Sequence, residues 1–356
     1  MSLASVALGT ALDRSGVLRL AVAARRKGLL PYAGLTVITY HSVTNPQTSA
    51  LTDNISATPE EFDAQMDYLR RTFTPVSLED ILEARAGGPK LPPDAVLVTF
   101  DDGYADNFEH AFPILRRHGI RALFFVTTGC LTDRQLFWWE RVSLLVLRSQ
   151  ERALRIEYPS AEEIDLSTPA AKVAAKNGLN RIIKTHYDLD LERFLDGVAT
   201  GCRVPWSDAQ SKELGDRVLM TWDQVTSLRK AGMSIGSHSH AHRVLQTLPP
   251  AALGADLQLA RALLEGHLGE SVRTIAYPVG DSIAAEPLIR QTVVNSGYEM
   301  GFTTVAGINS LAPAEDALDL RRLMADRALS TGVARLWMTF PFLAARATRP
   351  RRPAVE

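Results

Sequence analysis

Two cysteines in 356 residues, Cys130 and Cys202, leave no material for a disulfide framework, and neither has a partner at a metal-type or redox-type spacing. A reducing compartment is expected. The formal net charge of -1, from 39 Lys and Arg against 40 Asp and Glu, lacks the basic surplus of a nucleic-acid-binding domain. No nucleic-acid partner is expected. No apolar run approaches the roughly 18 residues that span a bilayer, and the first thirty residues lack the charged start, apolar stretch and small-residue cleavage site of a secretion signal. The expected location is cytoplasmic, with peripheral contact at the inner face of a membrane through the termini. No glycine-rich phosphate loop follows any strand-like run, which argues against an open dinucleotide-binding sheet.

What is present is an ordinary core-forming composition, 46% hydrophobic and 22% charged. Apolar runs rich in Val, Ile, Thr and Phe recur: "LTVITYH" from 35, "AVLVTF" from 95, "RALFFVTT" from 121, "GMSIGSHS" from 232, "VRTIAYP" from 272 and "YEMGFTT" from 298. Helical patterns lie over 59–72, 104–118, 221–231, 251–268 and 284–296. Such alternation predicts parallel strands with crossover helices, and the expected fold is α/β, a distorted (β/α) barrel of about seven parallel strands. The stretch 131–219 breaks the rhythm and reads as a helical insertion at a strand C-terminus, the end where barrels carry their sites. Trp138 and Trp139 are expected in the core of that insertion, where aromatic area is best used.

The layout is therefore an N-terminal helical extension (1–34), a main domain (35–330) and a C-terminal helix with a basic tail (331–356). The tail, "RLWMTFPFLAARATRPRRP", fits an anionic membrane surface and equally a packed terminal helix with a frayed end. Nothing in the sequence specifies an oligomeric state.

Chemistry concentrates in two places. "TFDDGY" ends an apolar run on Asp101 and Asp102, two acids that repel each other unless a cation separates their roles. "GSHSHAHRVL" sets His238, His240 and His242 directly after another strand-like run. Imidazoles and a carboxylate are the ligands of a catalytic Zn²⁺ site, which keeps three protein ligands and an open position. One acid then ligates and its neighbour stays free as a base. A calcium loop would need a bidentate Glu at its twelfth position, where Phe112 stands. In extended geometry residues 238, 240 and 242 face the same way, so only a turn after His238 removes His240 from the site.

Together, "TFDDGY" and the His-Ser-x-x-His spelled by "HSHAH" resemble the first two motifs of the polysaccharide deacetylase family, the carbohydrate esterases that share the rhizobial chitooligosaccharide deacetylase domain. "AYPVG" at 276–280 is similar to that family's third motif, and "VITYHSV" resembles the first strand of a circularly permuted branch acting on poly-N-acetylglucosamine. The resemblance makes 35–330 the catalytic domain. It implies Asp101 as base, Asp102, His238 and His242 as ligands of a divalent metal (Zn²⁺ first, Co²⁺ or Ni²⁺ as substitutes), and Ser239 as support for the histidine motif. It implies His41 as general acid, a role that suits an imidazole donating to a departing amine. The Val279 N–H is implied as an oxyanion donor, with Tyr277 and Pro278 as groove wall. Ala276 stands where many members carry Arg, which leaves Arg321 or Arg322 as substitutes from a late run, and no late Leu-x-His segment is evident.

The implied reaction is hydrolysis of an N-acetyl group on a sugar of a polysaccharide, oligosaccharide or lipid-linked glycan, with release of acetate. Two other readings remain open at this point: an amidohydrolase-type metal enzyme built on His238-Ser-His240 and acting on a non-sugar C–N bond, and a catalytically weak glycan-binding protein of the same fold.

Overall fold

Seven short runs pair in parallel: β1 (Thr36–Tyr40), β2 (Ala95–Phe100), β3 (Leu123–Val126), β4 (Ser234–Ser237), β5 (Thr274–Ala276), β6 (Met300–Phe302) and β7 (Leu323–Met324). The structure, a computed structural model, describes residues 11, 15–26, 34–47, 55–310 and 315–325. Across the sheet the order is β6-β5-β4-β3-β2-β1-β7, and a two-residue strand, Thr74–Pro75, also pairs with β2. The sheet curls until its ends meet. Leu320 N–H donates to Gly301 O at 2.9 Å and Thr303 N–H to Leu320 O at 2.8 Å, which ties the run before β7 to β6. This is the distorted barrel expected from the alternation of strands and helices.

Strand alternation divides the apolar side chains into two layers. Val37, Leu97, Leu123, Phe125, Ala276, Met300 and Phe302 fill the barrel interior. Ile38, Val96, Val98, Phe100, Phe124, Ile235 and Ile275 face outward, and pack with Phe62, Met66, Leu69, Leu253 and Leu257 from the surrounding helices. Each such side chain contributes about 1.5–3 kcal/mol on burial, so both layers favour the same curvature. Several helices begin where the sequence supplies caps: at Pro59–Thr72, Thr58 accepts the Glu61 N–H at 3.2 Å while Glu61 accepts the Thr58 N–H at 2.8 Å.

Inside the insertion lie helices Trp138–Arg148, Pro169–Thr185, Leu191–Cys202 and Asp208–Val218, around a core of their own that includes Trp138, Trp139, Leu179, Phe194 and Val198. The insertion is mostly helical, as expected, with one exception. Ala153–Ile156 and Glu162–Asp165 form an antiparallel hairpin that buries Leu154 and Ile156 on one face. The second strand, "EEID", is too charged and too short to announce itself as a strand.

In the N-terminal extension, Val17–Arg26 is helical. The C-terminal helix and basic tail expected over 331–356 lie outside the described residues. Among the described residues no helix is long and apolar enough to cross a membrane.

Candidate functional site

The chemistry-bearing residues gather at the C-terminal mouth of the barrel, where loops leave the strands. After Phe100 closes β2 the chain turns sharply, with φ +76 at Asp102 and +94 at Gly103. A left-handed aspartate costs about 1–3 kcal/mol. Its effect is to send two consecutive carboxylates to different partners.

Asp101 faces the barrel interior and meets Arg322. The guanidinium donates from Nη1 to Oδ1 and from Nη2 to Oδ2, each at 2.7 Å. Arg322 has no exposed surface, and its Nε donates to Thr303 O at 2.8 Å and its Nη1 to Thr39 Oγ1 at 3.1 Å. Burial pushes the Asp101 carboxyl up, but Arg322, then His238 and His41, outweigh it and bring it below the ordinary carboxylate range. The acid stays ionised although it is buried.

Asp102 turns to the histidines. Its Oδ1 lies 3.4 Å from His238 Nε2 and 3.3 Å from His242 Nε2, and the two Nε2 atoms are 3.2 Å apart. All three residues are buried, and both Asp102 oxygens are without a hydrogen-bond partner. Burial pushes the Asp102 carboxyl up and the two imidazoles outweigh it, so it sits well below its ordinary value. The donor set fits a divalent metal. Around a tetrahedral ion with ligands at about 2.0–2.1 Å, donors stand about 3.3–3.4 Å apart, which matches the observed triangle, and three protein donors leave a fourth position free.

His238 Nδ1 lies 2.8 Å from Ala276 O and donates to it, leaving Nε2 to face the other two donors. At His238 burial lowers the imidazole pKa, but Asp101 and Asp102 outweigh it and raise it. At His242 burial, joined by the neighbouring His238, leaves it lowered.

The turn that decides between His240 and His242 is present: Ser239 has φ +62 and His242 φ +50. His240 points away, its Nδ1 3.0 Å from Thr128 Oγ1. His242 joins His238 instead, so the His-x-His arrangement of an amidohydrolase-type site is not formed. Ser239 Oγ accepts the His242 N–H at 3.0 Å. His41 follows β1, with its N–H on Ser56 Oγ at 2.9 Å and its carbonyl accepting from Asn107 Nδ2 at 2.6 Å. Its ring is half-exposed.

Tyr277 corrects one expectation. Following inward-facing Ala276, it falls on the outer side of the sheet, 1% exposed in the outer core, and its hydroxyl donates to Leu318 O at 2.7 Å. It is not groove wall, and Pro278 beside it is buried too. Val279 is half-buried at φ +65, a strained conformation for a β-branched residue. Its carbonyl accepts from Thr304 Oγ1 at 2.9 Å.

The insertion adds residues whose part in the site sequence reasoning missed. Trp138 Nε1 donates to His242 O at 3.0 Å, and the Trp139 ring centroid lies 4.4 Å from that of His242. Both are core aromatics, as expected, and both also back a ligand-set histidine. The adjacent tryptophans were visible in the sequence, but the contact spans about a hundred positions and leaves no local signal.

Residues 88–158 and 206–305 match the family model described as polysaccharide deacetylase, and the unmatched stretch between them lies within the insertion. Among solved structures, the fold resembles the Streptococcus pyogenes deacetylase PplD in complex with acetate (TM-score 0.55, 19% identity, covering 86% of this chain and 98% of that one). It also resembles IcaB from Ammonifex degensii (TM-score 0.53, 21% identity, 86% and 97%). Among curated proteins, the poly-β-1,6-N-acetyl-D-glucosamine N-deacetylase of Escherichia coli O157:H7 is 37% identical over 99 residues, 26% of this chain and 14% of that protein. Bacillus subtilis YxkH is 22% identical over 283 residues, 78% of this chain and 67% of that protein. The chain thus spans about one seventh of the Escherichia coli relative.

Proposed function

The chain belongs to the polysaccharide deacetylase family, and we propose that it hydrolyses an N-acetyl group of an acetylated amino sugar, releasing acetate and leaving a free amine on the glycan. One observation carries the reading. Two adjacent carboxylates hold different partners at one barrel mouth, Asp101 with Arg322 and Asp102 with His238 and His242.

Asp102, His238 and His242 would hold a divalent metal, Zn²⁺ by the donor set, with Co²⁺ or Ni²⁺ as substitutes. When bound there, such an ion acts as a Lewis acid toward a carbonyl oxygen and lowers the pKa of water beside it. Asp101 takes a proton from the attacking water. Arg322 keeps that carboxylate ionised and fixes both of its oxygens, the part the missing third-motif arginine would have played. His41 hands a proton to the departing amine. The Val279 N–H donates to the oxygen that gains charge, held in place by the strained turn around it. Ser239 braces the ligand loop through the His242 amide.

The domain that does this is 35–330, with 131–219 as an insertion whose tryptophans back His242. The partner is an acetylated glycan: a lipid-linked sugar, a chitooligosaccharide or a poly-N-acetylglucosamine oligomer, the last of these named in the Escherichia coli relative. The setting is cytoplasmic, at or near the inner membrane face, where surface polysaccharides begin.

The test is acetate release across those three substrate classes with bound metal quantified in the same preparation. Release from one class by metal-loaded protein, abolished by Asp101→Asn, is the expected result. Glycan retention without any acetate would overturn the hydrolase reading in favour of binding.

A further inference from the structure

The loop carrying His238 and His242 is gripped from two sides by groups outside the ligand set. On one side stands Asp256, from the helix Pro250–Leu268: its Oδ2 accepts the His240 N–H at 3.0 Å and its Oδ1 the Ala241 N–H at 2.8 Å. On the other side the amides of Thr128 and Gly129 donate to Ser239 O at 3.3 Å and His240 O at 3.0 Å, while Thr128 Oγ1 meets His240 Nδ1. Every one of these bonds engages the three residues between the two histidines.

We propose that Asp256, opposed by the close approach of Gly129, is a positioning residue for the metal site: it sets the turn that presents His242, rather than His240, beside His238. This rests on the metal reading above. The physical need is plain. Positive φ at Ser239 and His242 is unfavourable, and a relaxed, extended loop would put residues 238, 240 and 242 on one face. Both oxygens of this one side chain are committed to consecutive amides, which fixes the loop between the two histidines. Gly129 is required on the other side. A Cβ there would lie 2.6 Å from His240 O, a backbone atom that cannot swing away. His240 thereby has a use that is not ligation: its ring closes the grip on Thr128.

The experiment compares wild type with Asp256→Asn, Asp256→Ala and Gly129→Ala in the full chain, measuring Zn²⁺ and Co²⁺ affinity by competition with a chromophoric chelator. The visible absorption of the Co²⁺ form and the melting temperature of the metal-free protein are recorded alongside. Asn keeps the shape of Asp256 but offers an N–H₂ where one amide needs an acceptor. The expected result is affinity weakened about 10- to 100-fold, the range for losing a group that orients a ligand, with a changed Co²⁺ spectrum, and turnover of Asp256→Asn recovering as free metal is raised. If Asp256→Ala fails to fold, Asp256→Asn and Gly129→Ala decide the matter. Wild-type affinity and spectrum in those two variants would overturn the positioning role while leaving the metal site standing. A wild-type chain that binds neither ion would overturn both, and the two failures are told apart by the wild-type titration alone.

Discussion

Arg322 grips both oxygens of Asp101, 221 positions away in the chain, at 2.7 Å on each arm, and both side chains are buried. Removing one member of such a pair strands the other charge, at a cost of about 3–5 kcal/mol. Arg322→Ala is expected to lose that much stability by urea unfolding. Arg322→Lys should lose less, yet it cannot span both oxygens, so turnover should fall even where the fold survives. The pH dependence follows from the direction of the Asp101 shift. Because the folded carboxyl is held below its unfolded value of about 3.9, its contribution is complete above that pH and lost as pH falls through the lowered value. Arg322→Ala should therefore show a weaker loss of stability on acidification than wild type. Unchanged stability and unchanged turnover of Arg322→Ala at neutral pH would show that the pair matters neither to the fold nor to the base.

Much of this arrangement was legible in the sequence because its parts sit at the ends of apolar runs. Asp101, Asp102 and His238 each follow a strand that periodicity finds, and the curled sheet follows from the strand–helix alternation. Arg322 was legible only as one of two candidates. β7 is two residues long and carries no periodic signal, and which of Arg321 and Arg322 turns inward depends on pairing with β1. The motif position of Tyr277 says nothing about which side of the sheet it falls on, whereas its place after inward-facing Ala276 does. The hairpin in the insertion leaves no periodic signal because half of it is charged.

The division of work between neighbours gives a second prediction. Asp101→Asn should keep stoichiometric metal, since Asp102 rather than Asp101 lies with the two imidazoles, while turnover drops by about 10²–10⁴, the usual weight of general acid–base catalysis. Asp102→Asn should lose metal. His41→Ala should retain metal and lose turnover on the amide, with a smaller loss on an acetyl ester, whose leaving group needs less help from an acid. Metal analysis beside kinetics on both substrates checks all three, and equal losses on ester and amide would remove His41 from the acid role.

His240 and His242 differ by two positions and should differ sharply in effect. His242→Ala removes one of three converging donors, and bound metal should fall below stoichiometric on dialysis. His240→Ala removes only the ring contact with Thr128, so metal should be retained at stoichiometry, with affinity lowered to the extent that this contact steadies the loop. Complete metal loss from His240→Ala together with full retention by His242→Ala would mean that the loop turns the other way in solution.

Trp139 ties the insertion to this chemistry. Its ring stacks against Phe137 with centroids 4.3 Å apart and lies 4.4 Å from His242, while its Nε1 donates to Tyr104 Oη at 3.2 Å. Tyr104 Oη in turn donates to Glu140 at 3.0 Å, so one buried polar chain runs alongside the imidazole. Trp139→Ala opens a cavity, which for a buried tryptophan costs about 3–5 kcal/mol. It also leaves the Tyr104 hydroxyl without its donor and frees His242 to rotate. Trp139→Phe keeps most of the packing and loses only the hydrogen bond. The expected order of stability is wild type, then Phe, then Ala, and metal affinity should fall in the same order, because the ring that fills the core is also the ring that restrains the ligand. If Ala destabilised the protein while metal affinity stayed at the wild-type value, the insertion would be a separately packed appendage whose contact with His242 carries no restraint.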